Sequence, residues 1–192
     1  VERSFFKDAG GRAINLGGST GLPYFRPRGV GYEATDITVA GNRFVGSLAP
    51  VAWATARGGH VYHDLIYLPR KWVLRILQEQ RDERFVRCRD GVFEHNMVVY
   101  DEKVRTFVNI GPRTRPETFT FRHNAWYRVD GGTPRPDLPT EEREGVYGVD
   151  PELRDPGKGT MRITSDDPRL SGIGPRAYQP EQELGESSTE RK

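Results

Sequence analysis

The run PRKWVLRILQEQR, residues 69–81, decides how the fold is read. Trp72, Val73, Ile76 and Leu77 fall on one side of a 3.6-residue wheel, and Arg70, Lys71, Arg75, Gln78 and Glu79 occupy the rest. Pro69 suits a first helical position and Asp64 stands just upstream. These features predict an amphipathic helix over residues 69–81 whose apolar stripe (Trp72, Val73, Ile76, Leu77) is core rather than a cofactor site.

Outward from this run the pattern turns to strands. Ile37-Thr38-Val39, then Ala40-Gly41-Asn42, then Arg43-Phe44-Val45 reads as two short strands around a tight turn. A short apolar stretch over residues 48–54 closes at Gly58-Gly59. On the far side, residues 84–89, a hairpin turn at Asp90-Gly91, residues 92–100, a second turn at 101–103 and residues 104–110 read as consecutive strands. After a loop at 111–116, residues 118–129 make a longer strand. The expected fold is α+β: a small, mainly antiparallel sheet with one amphipathic helix packed on it, flanked by long irregular N- and C-terminal arms, with no internal repeat.

The expected organisation is an extended N-terminal arm (1–35), an α+β domain (36–129) and a Pro/Gly-rich extended tail (130–192). The arm carries Gly10-Gly11, Gly17-Gly18, Gly21, Pro23, Pro27, Gly29 and Gly31 among the rings of Phe5, Phe6, Tyr24, Phe25 and Tyr32. The tail holds 8 Pro and 9 Gly in 63 residues, a composition that cannot form a core of its own. Leu153, Met161, Ile163, Leu170, Ile173 and Tyr178 are spaced along it like separate anchors, so neighbouring subunits of a larger assembly are the expected partners.

The net charge of +2 hides an asymmetry. Residues 1–129 carry 20 Lys+Arg against 13 Asp+Glu, and residues 130–192 carry 9 against 14. A basic body can attract nucleic acid, anionic lipid, an acidic protein or its own tail. The single cysteine, Cys88, excludes an internal disulfide and favours a reducing compartment. No apolar run reaches the roughly 20 residues of a membrane span. Val1 at the first position fits either a removed import presequence, hence mitochondrial localisation, or a trimmed start.

Chemistry-bearing residues are few. His60 and His63, three apart with Asp64 beside them, are the candidate metal ligands, but His95 and His123 fall by period-2 counting on apolar strand faces, as core histidines do. Cys88 lies between Arg87 and Arg89 and reads as a buried, inert thiol. Gly29-Val30-Gly31-Tyr32-Glu33-Ala34 lacks the strand and helix of a dinucleotide fingerprint, and Gly17 to Gly21 lacks the lysine of a phosphate loop. Arg122, Trp126 and Arg128 share one face of the 118–129 strand, with Arg113 and Arg115 in the loop before it; they suit a protein contact or, alternatively, an RNA backbone. No complete acid–base, nucleophile or metal set is present, so neither an enzyme nor a cofactor is expected.

Ile37, Val39, Gly41, Arg43, Phe44, Gly46, Ser47 and Leu48, followed by Asp64-Leu65, Leu74, Leu77 and Asp90-Gly91, make residues 30–91 resemble the small α/β family that includes a mitochondrial assembly factor of respiratory complex I. The resemblance implies a non-enzymatic accessory subunit or assembly factor of a mitochondrial complex of the respiratory or ATP synthase type. An RNA-contacting, ribosome-associated protein using the basic body is the alternative.

Overall fold

Short triplets with an apolar centre, separated by two-residue corners, build this chain. The computed structural model describes residues 1–133 and 135–180. In chain order the strands are β1 (Phe5–Lys7), β2 (Arg12–Gly17), β3 (Ala34–Thr35), β4 (Thr38–Ala40), β5 (Arg43–Val45), β6 (Ala49–Ala54), β7 (Ala56–Arg57), β8 (His60–Tyr62), β9 (Leu65–Tyr67) and β10 (Leu74–Leu77). There follow β11 (Val92–Glu94), β12 (Met97–Tyr100), β13 (Val108–Ile110), β14 (Thr120–Arg122), β15 (Ala125–Arg128), β16 (Glu142–Arg143), β17 (Val146–Tyr147), β18 (Leu153–Arg154) and β19 (Arg162–Ile163). Three large parallel sheets result, beside the two-stranded pairs β3-β7 and β18-β19: sheet I, β1-β5-β9-β12-β15-β17; sheet II, β13-β10-β6-β2; and sheet III, β16-β14-β11-β8-β4. The chain visits III, I and II in turn and then starts the next coil, which makes a parallel β-solenoid.

This corrects the expected fold. The run 69–81 is not a helix: Leu74–Leu77 is a strand between β6 and β13, parallel to both, and among the described residues helical structure is limited to 3-10 turns. Val73, Ile76 and Leu77 are buried as expected, but the geometry is β, with Leu74 and Ile76 pointing in and Arg75 out. Short apolar runs fit either period, and here the flanking strands decide. The turns taken as hairpins are corners. At Gly41, His63, His95, His123 and Glu144 the backbone is left-handed, with φ between 53° and 65°, and two residues later a strand of sheet I begins instead of reversing against sheet III. There is therefore an internal repeat after all: Gly-Asn, His-Asp, His-Asn and His-Asn occupy successive corners, at sequence separations of 22, 32 and 28 residues.

These corners stack through one inward column. Asn42 donates its backbone N–H (2.6 Å) and Nδ2 (2.9 Å) to Asp64 Oδ1, and the Asp64 N–H donates to Asn96 Oδ1 at 2.9 Å. Asn96 donates to Asn124 Oδ1 through N (3.0 Å) and Nδ2 (3.1 Å), and Asn124 donates to Glu142. Each rung thereby satisfies the buried amide of the rung before it. Inside, Val39, Val61, Phe93 and Phe121 align in register along sheet III, and Phe44, Ile66, Val98 and Trp126 along sheet I.

The segment from Val149 to Tyr178 lies on the outer side of sheet I. Val149, Met161, Ile163, Leu170 and Ile173 form one buried cluster with Val45, Leu65, Met97, Val99 and Ala125. It needs no core of its own, because sheet I projects apolar side chains outward as well as inward. Arg43 Nε donates to the Met161 carbonyl (2.5 Å), and Gly174 N–H to that of His95 (2.8 Å). Leu170→Ala is expected to loosen this strap locally, on the scale of about 2–5 kcal/mol for a buried leucine. Hydrogen exchange is the measurement: amides of residues 161–178 should exchange faster while β5, β9 and β12 stay protected. Uniform loss across both would contradict a separately opening strap.

Candidate functional site

The outer face of sheet II is built by three triplets of one kind, Ile14-Asn15-Leu16, Leu74-Arg75-Ile76 and Val108-Asn109-Ile110, in which the central polar residue turns outward and the flanking apolar residues are buried, apart from the exposed Ile110 at the sheet edge. Register aligns Asn15, Ala52, Arg75 and Asn109 in one row across four strands, about 4.8 Å apart. Arg75 Nε donates to Asn109 Oδ1 at 2.9 Å, which fixes the guanidinium on the row. Arg12, on β2, reaches past β6 to Glu79 beyond the end of β10, with NH1 2.6 Å from Oε1. Burial lowers the Arg75 pKa and Arg12 adds to this, while Glu79 opposes it. Lys71 Nζ and Arg75 Cζ lie over the Trp72 ring, 4.4 Å and 4.7 Å from its centre.

Two loops wall the row where the strands end. Gln80 Nε2 donates to the Thr20 carbonyl (2.5 Å) and to Glu33 Oε1 (2.9 Å), Val86 N–H donates to the Gly31 carbonyl (2.7 Å), and Phe25 meets Phe85 edge-on at 5.3 Å. Gly17 lets the chain leave β2 for this wall: its φ is +93°, and a Cβ there would sit 2.1 Å from the Ala54 carbonyl oxygen. These contacts clasp the glycine-rich loop after β2 against residues 80–86.

The sequence-derived residues do not assemble into one site. Arg113 helps to line a 350 Å³ pocket with Gln78, Gln80, Arg81 and Arg87, beside the wall. Arg115 pairs with Glu117, Arg122 with Glu94 on sheet III, and Arg128 with Asp130 (2.5 Å). Trp126 is core, 2 % exposed, with its Nε1 donating to Glu142 Oε2 at 3.2 Å. Ile163, Leu170, Ile173 and Tyr178 are buried within this chain, and Leu153 packs on the same strap cluster. His60 Nε2 lies 2.7 Å from Glu94 Oε1, whereas the His63 ring stacks on His95 at 5.0 Å. His95 and His123, expected as core, project from the corners and stack at 4.7 Å, because the left-handed corner breaks the period-2 count.

Charges around these residues are balanced locally. Burial alone would raise Glu94, but hydrogen bonds and charge from Arg122 and His60 outweigh it and hold the carboxyl low. Desolvation and the neighbouring imidazoles lower His63 and His95 despite the attraction of Glu94. Burial pushes the Cys88 thiol up to about 11, which leaves it uncharged and a poor nucleophile at neutral pH. Among the described residues no group of three or more His, Cys, Asp or Glu could hold a metal, and no helix is long and apolar enough to cross a membrane.

Sequence reasoning missed Arg12, Asn15, Arg75, Glu79 and Asn109. The signal was there in the recurring apolar–polar–apolar triplet, which the helical reading of 69–81 concealed. No family model, curated protein or solved structure matches this chain.

Proposed function

We propose that this solenoid is a binding protein for an extended acidic polysaccharide, which lies along the outer row of sheet II. The observation that carries this reading is the alignment of Asn15, Arg75 and Asn109 in one row across sheet II, with Arg12 on the strand of Asn15 and paired with Glu79. Arginine forks suit sugar carboxylates, and side-chain amides both donate to and accept from hydroxyls. A parallel sheet repeats such groups at a fixed step, which suits a repeating polymer. A single aromatic ring, Trp72 against Arg75, borders the row Asn15, Ala52, Arg75, Asn109, whereas a single-stranded RNA needs successive stacking platforms. The accessory-subunit reading drew on the resemblance of residues 30–91 and on the anchor-like spacing of the tail, and that spacing has an intramolecular explanation in the strap on sheet I.

Isothermal titration with oligogalacturonate, a neutral galactose oligomer and single-stranded RNA tests this. The uronate should bind best, with affinity falling as salt is added. Arg75→Gln should weaken it about tenfold, the scale of one charged hydrogen bond, with little change in melting temperature. Equal affinity for the neutral oligomer, or tighter binding of RNA, would overturn the proposal.

A further inference from the structure

Of the three tryptophans, Trp53 and Trp126 are 0 % and 2 % exposed, and Trp72 alone is partly open to solvent. It stands at the entry to β10, three residues before Arg75, on the side of the polar row. Two cations lie over its ring, and they are held differently. Arg75 is tied to Asn109 through Nε at 2.9 Å, so its position belongs to the sheet. Lys71 is exposed and touches the indole with its ammonium 4.4 Å from the ring centre, and among the described residues it makes no ion pair or hydrogen bond. A hydrated ammonium on a flexible stem is held weakly over an exposed ring.

We propose that Trp72 is the sugar platform of this row and that Lys71 is its displaceable cover. The inference rests on the glycan reading above and adds where a sugar ring sits. The apolar C–H face of a uronate residue replaces the lysine over the indole. The displaced ammonium then swings to the sugar carboxylate, which the Arg75 guanidinium meets from the row. Trp72 thus supplies affinity that is independent of charge, and Lys71 makes that affinity selective: an acidic sugar offers the ammonium a new partner, and a neutral sugar only displaces it.

Tryptophan emission reads this directly, since the other two indoles are shielded. Oligogalacturonate should change the emission of the native protein and leave that of Trp72→Phe almost unchanged, while Trp72→Phe keeps most of the affinity. Trp72→Ala should bind about tenfold more weakly, the scale of one aromatic contact. Lys71→Met should narrow the preference for oligogalacturonate over the neutral galactose oligomer. Melting curves confirm that each variant is folded. Calorimetric binding without any change in Trp72 emission, or with Trp72→Ala at native affinity, would overturn this inference and leave the glycan reading standing. Absence of calorimetric binding would overturn both.

Discussion

Trp53→Ala is expected to destabilise the protein by about 3–5 kcal/mol, the range for removing a large buried aromatic side chain. Trp53 lies inward on β6, in register with Leu16 on one side and Ile76 on the other, and is 0 % exposed. Its ring meets Phe119 edge-on at 5.4 Å, and Nε1 donates to the Gly58 carbonyl at 3.0 Å. The solenoid cannot collapse around the gap, because each rung is held at its spacing by neighbours above and below. A Cβ on Gly59 would lie 2.9 Å from Trp53 Nε1, and one on Gly91 3.0 Å from its Cε2, so the corners are moulded closely to the indole. Urea unfolding is the measurement, with Trp72→Ala as the control. Trp72 is partly exposed at the margin of sheet II, so its truncation should cost well under half as much. Equal losses would mean that Trp53 does not organise the core.

Asp64→Asn is expected to stabilise the protein by about 1–3 kcal/mol at pH 8, the cost of leaving a buried polar group unsatisfied. Asp64 is 0 % exposed and takes a place that asparagine takes in the coils around it. Asn96 Nδ2 donates to the Val61 carbonyl (3.1 Å), and Asn124 Nδ2 to that of Phe93 (2.9 Å). The corresponding atom of Asp64 is Oδ2, a buried acceptor without a hydrogen-bond partner, and the register places the Val39 carbonyl one rung away. Burial raises the Asp64 pKa well above the carboxylate range, although the two Asn42 donors pull it down.

The pH dependence follows from that direction. The unfolded chain loses this proton near pH 3.9, while the folded chain keeps it to higher pH. Between the two pKa values the native state binds more protons, so stability falls as pH rises and levels off above the folded value. An amide carries its hydrogens at every pH, so the advantage of Asp64→Asn should grow with pH from about 4 and fade below it. Urea midpoints of both proteins between pH 4 and pH 9 provide the check. Parallel curves would show that Asp64 ionises at no cost inside the ladder.

Several local features were legible in the residues alone. Val73, Ile76 and Leu77 are core as their apolar character requires, the break at Gly41-Asn42 between two short strands is real, and residues 92–94, 97–100, 108–110 and 120–122 are extended. The repeated pair of a left-handed residue and Asn or Asp at 41–42, 63–64, 95–96 and 123–124 was also present. It escaped notice because loops of different length separate its copies, at 22, 32 and 28 residues. The polar centres of Ile14-Asn15-Leu16, Leu74-Arg75-Ile76 and Val108-Asn109-Ile110 were equally visible as local alternation.

Strand direction was decided only in three dimensions. A two-residue turn between short strands can reverse the chain into a hairpin or bend it into the next sheet. The choice falls to the bend because Asn42, Asp64, Asn96 and Asn124 bond one another across whole coils, and no local window contains such a pair. The same holds for residues 69–81: four apolar positions satisfy both periods, and the neighbouring strands β6 and β13 supply the hydrogen bonds that make it a strand. Composition marked the tail as unable to build its own core, and whether it would lie on a neighbour or on this chain depended on sheet I projecting Val45, Leu65, Met97 and Val99 outward. The polar row of sheet II exists for the same reason: residues 15, 75 and 109 are distant in sequence, and stacking of coils places them on adjacent rungs.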